Sequence, residues 1–421
     1  MRRLAVLSMH TSPLAQPGTG DGGGMNVYVR ELSSALARSG VSCDVYTRCW
    51  SPDLPPIVRV EPGFTVHHVA AGPPAPVAKE TLQDHVEEFT ESVVERIMET
   101  TAGPRGGSQP PVDAIHANYW LSGLAGHAIK HRLDLPLVST FHTLDRVKAE
   151  ASPEEVESAE PGRRAHAEAE IIGCSDALLA SCTVELDQLV DLYGADRDRV
   201  EIVPLGVDHA FFSPGDREHA RRALGLDPRG PLLLFVGRIQ PLKGADVAVR
   251  ALEALHRGGV RDARLVLVGG PSGPHGEKEL LALHELVEGL GLGEWARFEP
   301  PQRHELLSTY YRAADCCLVP SRSESFGLVA LEAAACGTPV VASAVGGLTT
   351  LVEHDRTGYL VEAGDVAAFA DYADQICSSA PLQARLGAGG AEMAAGYTWS
   401  VAAGRLRRLY TDLTSRSLVE C

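Results

Sequence analysis

Short apolar runs alternate along the chain with segments whose apolar residues return every three or four positions. Leu4–Ser8 is nearly uninterrupted apolar sequence and predicts a buried strand. After a Gly-rich stretch, Val27, Val29, Leu32 and Leu36 recur at helical spacing, so Asn26–Arg38 predicts a helix that Ser39-Gly40 ends. Further strands are predicted at Val41–Tyr46, Thr65–Val69, Val112–Ala117, Leu135–Phe141, Ala177–Ser181 and Val200–Pro204. Helical segments fall at Lys79–Glu99, around His127–Arg132, at Ala165–Ile172 and at Thr183–Leu192, with a Gly/Pro/Ser loop at Gly103–Pro111. Strands separated by helices call for a parallel sheet.

The pattern then restarts. Leu232–Val236 is almost purely apolar, as a strand covered on both faces must be. Strands follow at Ala263–Val268, Ala296–Glu299, Cys316–Val319, Val340–Ala342 and Gly358–Leu360. Helices are predicted at Ala245–His256, Lys278–Leu290, Glu305–Ala313, Leu328–Ala335 and Gly347–Glu353, and near 366–377 and 400–415. Pro and Gly cluster in Gly206–Pro231, which sets the break between two halves. The expected fold is α/β: two doubly wound, Rossmann-like parallel-sheet domains, residues 1–205 and 206–395, with a closing segment 396–421. Ligands of such sheets sit at the C-terminal strand ends, so two facing domains imply a substrate cleft.

Composition narrows the function classes. The chain has 421 residues, 44% hydrophobic and 22% charged, with a formal charge of −17. That balance disfavours nucleic acid as a partner, because affinity for it comes from Lys and Arg on phosphates. No apolar run approaches a membrane span of about 18 residues or more, so no membrane partner is expected. The nine Cys sit mostly in apolar stretches and form no Cys-x-x-Cys pair. They read as buried thiols of a cytoplasmic protein.

Three segments carry chemistry. Gly18-Thr-Gly-Asp-Gly-Gly-Gly24 matches a dinucleotide fingerprint in spelling, but Met9–Pro17 separates it from the strand that should directly precede it. It reads instead as a turn whose last glycines open the helix at Asn26 and offer backbone amides to an anionic or hydroxyl-rich ligand. Gly237-Arg238 and Lys243-Gly244 directly follow strand Leu232–Val236, and two cations there suit a diphosphate. Glu324 and Glu332 stand eight apart across a switch from loop to apolar helix. Paired carboxylates recur in glycoside hydrolysis, but one local element beside a helix start better suits clasping sugar hydroxyls.

Taken together, Gly237-Arg238, Lys243 and the Glu324–Glu332 pair joined to Ser-Phe-Gly-Leu resemble the retaining, nucleotide-sugar-dependent glycosyltransferases of the GT-B fold, glycosyltransferase family 4. The likeness runs from Leu4 to Leu413. The segments Met9–Tyr28 and His116–Gly123 are similar to the branch that transfers N-acetylglucosamine from UDP-GlcNAc to a cyclitol. That branch contains the inositol-phosphate glycosyltransferases of mycothiol synthesis and the enzymes acting on 2-deoxystreptamine in aminoglycoside synthesis. Sucrose-type and lipid-directed transferases share the fold, and a non-catalytic sugar-binding protein with the same two lobes is a remote alternative that the intact Arg238, Lys243, Glu324 and Glu332 argue against. The acidic helix after Lys79 counts against a lipid surface.

The resemblance implies an acceptor-binding N-terminal domain, a nucleotide-sugar-binding C-terminal domain and a last helix crossing back to the first. It implies Gln16, Gly24, Arg238, Lys243, Glu324 and Glu332 on the UDP-sugar donor, with Glu332 on the ribose and Glu324 on the sugar hydroxyls. His142 would face the reacting carbon, and with Glu324 it makes up the catalytic pair. The acceptor set would be His10, Asp21, Asn26, Lys79, Tyr119, Thr143 and Arg164, with Arg163 adjacent to the last. No obligatory cofactor or catalytic metal is implied. Departures fall on the acceptor side: His116-Ala-Asn118-Tyr119-Trp120, Gly72-Pro-Pro-Ala-Pro and Ser139-Thr-Phe141. With the donor side intact and the chain acidic, the sequence alone favours the dicationic 2-deoxystreptamine as acceptor, with inositol phosphate as the alternative.

Overall fold

The structure, a computed structural model, describes residues 2–18, 20, 22–99, 112–151, 162–273 and 276–421. The predicted Gly103–Pro111 loop lies outside them. The chain divides into two units.

The first unit comprises Met1–Ala15, Met25–Pro204 and Trp399–Cys421. Its strands are β1 (Arg3–Leu7), β2 (Ser42–Arg48), β3 (Ile57–Glu61), β4 (Phe64–Val69), β5 (Ala114–Asn118), β6 (Leu137–Thr140), β7 (Ala177–Ala180) and β8 (Val200–Ile202). They form one sheet in the order β3-β4-β2-β1-β5-β6-β7-β8. All neighbours run parallel except β3, which pairs antiparallel with β4. That strand corrects the all-parallel expectation. It is a largely exposed edge hairpin, so no apolar run marks it. Leu7, Ile115, Leu137 and Leu178 are fully buried in the sheet, under Val93, Ile97, Ile129, Ile171 and Leu189 from the helices.

The helix Gly24–Arg38 follows β1, as expected. The segment predicted helical from Lys79 splits into a 3-10 turn, Lys79–His85, and the α-helix Val86–Glu99. Asp145–Ala151 adds a short, largely unburied helix that the pattern did not show. The helix Trp399–Leu413 belongs to this unit, and its Tyr410 hydroxyl hydrogen-bonds with His116 Nδ1 at 2.7 Å. A second correction concerns the cysteines: Cys174 and Cys421, 247 residues apart, are joined in a disulfide. Spacing carries no sign of this bond, because the fold alone brings the two segments together.

The second unit comprises Gln16–Gly24 and Leu205–Thr398. The Gly-rich stretch therefore packs here despite its place near the start of the sequence, which departs from the division at 205/206. The strands β9 (Leu232–Val236), β10 (Arg264–Val268), β11 (Ala296–Glu299), β12 (Cys316–Val319), β13 (Val340–Ser343) and β14 (Gly358–Val361) form a fully parallel sheet, β11-β10-β9-β12-β13-β14. Counted within the unit this is the 3-2-1-4-5-6 order of a doubly wound nucleotide-binding sheet, with its switch point between β9 and β12. Leu233, Leu265 and Leu318 pack beneath Val249, Leu252, Phe369 and Ile376, all fully buried. Arg217–Ala223 and Ala380–Ala394 are helices that the pattern did not predict. No helix among the described residues is long and apolar enough to cross a membrane.

Candidate active site

In the second unit the segments after β9 and β12 carry Arg238, Lys243 and Glu324 of the predicted donor residues. These two strands are neighbours in the sheet, although β10 and β11 lie between them in sequence. Arg238 follows β9, and its guanidinium reaches Ser272 Oγ at 3.4 Å. Gly23 of the Gly-rich stretch passes close to that guanidinium, and Gly24 lies beside Leu328. Gln16, which is exposed, donates its side-chain amide to the Pro301 carbonyl at 2.9 Å. Lys243 Nζ meets Glu324 Oε2 at 2.5 Å, and Ser321 Oγ lies 3.3 Å from the same oxygen.

The loop holding Glu324 is fixed from behind. Gly347 N–H donates to the Glu324 carbonyl at 3.0 Å. Gly346 has φ +49°, and a Cβ there would sit 1.8 Å from the Glu324 carbonyl oxygen. Only glycine fits that close approach. Glu332 lies within the helix Leu328–Ala335 and is 4% exposed. His304 Nε2 lies 2.6 Å from its Oε1, and Tyr311 donates its hydroxyl to Oε2 at 2.9 Å. Neither partner was apparent in the sequence, since no motif links them to Glu332. Burial, then the Glu332 charge, pushes the Tyr311 hydroxyl far above its ordinary value, so it remains a donor.

In the first unit β1 and β5 are likewise neighbours, and the segments after β1, β5 and β6 carry His10, Tyr119 and Thr143 of the acceptor set, with Arg164 on the helix Arg163–Cys174. His142 follows β6 with φ +62°, and Tyr119 follows β5 with φ +73°. Two non-glycine residues held in left-handed backbone are strain of the kind found at ligand sites. His142 Nε2 donates to Asn118 Oδ1 at 2.9 Å, and its ring stands edge-on to Tyr28 at 4.8 Å. Burial, and behind it the neighbouring His116, pushes the His142 pKa down to about 3. The ring is therefore neutral at pH 7 and suited to hydrogen bonding rather than charge. Asn118 is fully buried, and its Nδ2 amide has no hydrogen-bond partner among the described residues.

Four of the predicted acceptor residues come together. His10 lies tilted at 42° against Tyr119 with the ring centroids 4.4 Å apart, and the Arg164 guanidinium covers the Tyr119 ring at 4.9 Å. Arg164 donates to the Thr143 carbonyl at 2.7 Å and to its hydroxyl at 3.1 Å. Arg164, not Arg163, thus occupies this position. Burial opposes the Arg164 charge, but Tyr119, Glu168 and Asp145 more than offset it and hold the guanidinium above its ordinary value. Glu168, fully buried, accepts from Arg164 at 2.7 Å, from the Asp145 N–H at 2.9 Å and from the Tyr193 hydroxyl. Its spacing of four residues from Arg164 on one helix was the signal available for it.

Asn26 behaves differently. Its side-chain amide donates to Thr11 Oγ1 at 2.7 Å and to the Ser12 carbonyl at 2.6 Å, so it holds the loop after β1. Lys79 opens the 3-10 turn, and Asp21 lies outside the described residues.

Comparison with known proteins shows the family. Residues 23–206 match the glycosyl transferase 4-like domain, and residues 216–393 match the glycosyl transferases group 1 family. A D-inositol 3-phosphate glycosyltransferase of Acidothermus cellulolyticus is 45% identical over 98% of this chain and 90% of its own. One from Frankia alni is 46% identical over 98% of this chain and 100% of its own. Among solved structures, sucrose-phosphate synthase from Thermosynechococcus elongatus is 31% identical with a TM-score of 0.88, covering 99% of this chain and all of that one. Anabaena HepE in complex with UDP-glucose is 18% identical over 98% of this chain and 100% of its own, TM-score 0.75, a likeness of fold alone. With identity of this order running the length of both units, the chain belongs to the group 1 glycosyltransferases of the GT-B fold and is a glycosyltransferase.

Proposed function

We propose that the protein transfers N-acetylglucosamine from UDP-GlcNAc to a hydroxyl of inositol phosphate, with retention at the anomeric carbon. In this reading Arg238, Lys243, Gln16 and Gly24 serve the diphosphate end of the donor. Glu332 holds the ribose and Glu324 the sugar hydroxyls. The bond from the anomeric carbon to the diphosphate breaks as the acceptor oxygen bonds to that carbon on the same face. The acceptor proton passes to a departing diphosphate oxygen, so no protein nucleophile is needed. Neutral His142 orients the sugar. Both substrates are small and water-soluble, and the reaction is placed in the cytoplasm as part of this reading.

The observation that carries the acceptor is Arg164 lying over Tyr119 with its guanidinium on the Thr143 hydroxyl, beside His10. A cation, two hydroxyls and an imidazole in one place suit a phosphate monoester. The Asn118 carboxamide oxygen already accepts from His142, so the orphaned group there is a donor. A donor suits a hydroxyl or phosphate oxygen and not an ammonium. The relatives also bear the inositol-phosphate name. This weighs the acceptor differently from the sequence alone, which favoured 2-deoxystreptamine.

A second reading keeps 2-deoxystreptamine, and one observation favours it: Arg164 is already matched by Glu168 at 2.7 Å and Asp145 at 3.9 Å. UDP release measured with D-inositol 3-phosphate and with 2-deoxystreptamine decides between them. Turnover of the phosphate alone supports the first reading, and turnover of the diamine alone replaces it.

A further inference from the structure

Away from both ligand sets, four metal-ligating side chains of the first unit converge. His127 and His131 lie one turn apart on the helix Trp120–Leu133, on one face. Cys174 ends the helix Arg163–Cys174, and Cys421 lies beyond the helix Trp399–Leu413. His127 Nε2 stands 3.1 Å from His131 Nε2. Cys421 Sγ is 3.2 Å from His131 Nε2 and 3.8 Å from His127 Nε2. All four ligand atoms fall within 4.8 Å of one another.

Tetrahedral zinc with Zn–N of about 2.05 Å and Zn–S of about 2.3 Å has edges of about 3.3 Å between nitrogens and about 3.6 Å from nitrogen to sulfur. The three distances to Cys421 and between the imidazoles already lie within a few tenths of an ångström of those edges. Opening the disulfide lets the two sulfurs part, and Cys174 Sγ starts within 4.8 Å of the other ligand atoms. The surrounding backbone does not depend on that bond. Val419 N–H donates to Asp176 Oδ1 at 2.7 Å. Asp176 is buried against Lys130 at 2.9 Å, and Lys130 donates to the Cys174 carbonyl at 2.7 Å. The Cys421 segment and the Cys174 helix end are thus anchored to the histidine-bearing helix by the same Lys130–Asp176 pair.

We propose that His127, His131, Cys174 and Cys421 form a Cys2His2 zinc site that exists when the two cysteines are reduced and is lost when they are joined. A low-molecular-weight thiol supplies the electrons: the disulfide and two such thiols give two cysteine thiols and one small-molecule disulfide. Zinc then displaces both cysteine protons to solvent and binds two thiolates and two neutral imidazoles. With all four positions taken by protein, the site is structural and clamps the segment around Val419 to the helix Trp120–Leu133.

The test uses the full chain, reduced with a thiol and desalted without oxygen, beside the air-oxidised protein. Zinc titration of the reduced protein is expected to give about one equivalent per chain, and the oxidised protein should bind at least about a hundredfold more weakly. Cobalt(II) in place of zinc should show the visible bands of a tetrahedral thiolate site. Cys421→Ser and His131→Ala, both at exposed positions, should each weaken binding by about a hundredfold with circular dichroism unchanged. In the unmutated protein, zinc should slow alkylation of Cys421 by iodoacetamide. Failure of the reduced chain to bind zinc, or binding that Cys421→Ser and His131→Ala leave intact, would mean that the cysteines form a disulfide staple and nothing more. Unprotected alkylation of Cys421 in saturating zinc would overturn the proposal independently of any variant.

Discussion

Lys243 Nζ and Glu324 Oε2 lie 2.5 Å apart, so a residue proposed for the donor diphosphate and one proposed for the donor sugar form an ion pair. Donor binding on this reading redirects the Lys243 charge to phosphate while Glu324 turns to hydroxyls. Lys243→Ala should therefore weaken UDP binding by one charge-assisted contact, about 1.5–3 kcal/mol, or roughly ten- to a hundredfold in Kd by calorimetry. Glu324→Gln removes the competing carboxylate, so UDP should bind as well or better while kcat falls steeply. Equal UDP affinity in Lys243→Ala and the parent would remove the diphosphate assignment.

The acceptor set gives a prediction that separates phosphate from amine. Lys79→Ala combined with Thr143→Val removes a cation and a hydroxyl while leaving the Arg164–Glu168 pair in place. For inositol phosphate the loss should be about 2–4 kcal/mol in kcat/KM, roughly thirty- to a thousandfold. For 2-deoxystreptamine the change should stay within a few fold, because a dicationic acceptor draws no attraction from a lysine. Steady-state kinetics with each acceptor reads the difference. A large loss with the diamine and none with the phosphate would reverse the proposed acceptor.

Arg164 itself is a poor test of the acceptor, because its removal strands Glu168. That carboxylate is fully buried and keeps only Tyr193 and the Asp145 N–H. Breaking a buried pair from one side costs about 3–5 kcal/mol. Arg164→Met should lower the urea midpoint accordingly, and Arg164→Met with Glu168→Gln should recover a large part of the loss. Equal stability of the single and double variants would show that the pair is not coupled in this way.

The parts of the fold that were legible in the sequence are those with strong apolar signals. The bounds of β9 and β12 and of the helix Leu328–Ala335 match the apolar pattern to the residue. The missed elements lacked that signal for identifiable reasons. The helix Ala380–Ala394 contains Gly387, Gly389 and Gly390, which read as a loop. A Cβ at Gly387 would meet the Gly337 carbonyl at 2.3 Å, so close packing sets that residue rather than helix propensity. The candidate site divides in the same way. Lys243 and Glu324 were visible as residues at strand ends. Their mutual contact, the His304–Glu332 pair and the cysteine pairing depend on tertiary proximity, which spacing along the chain does not record, whereas the Arg164–Glu168 pair stands at helical spacing.

The last prediction concerns acid. His116 is buried between Thr140 Oγ1 at 2.8 Å and the Tyr410 hydroxyl at 2.7 Å, and burial pushes its pKa down to about 3. His142 is pushed down to about 3 in the same way, with His116 adding to the effect. In the unfolded chain both return to about 6.5. Between these values the unfolded state holds protons that the folded state does not, so stability falls as pH drops from about 6.5 toward 3. Each such histidine adds up to about 1.4 kcal/mol per pH unit to that slope. Other groups titrate in the same window, including Glu168 and Glu185, which burial shifts upward and which act in the opposite direction. A comparison with a variant isolates the histidine. His116→Gln retains a donor and an acceptor for Thr140 and Tyr410 and cannot take up the proton. Urea unfolding at a series of pH values from 4 to 7 should show the variant less stable than the parent at pH 7, with the gap narrowing as pH falls. A gap that stays constant over that range would show that His116 is already protonated in the folded protein or stays neutral in both states.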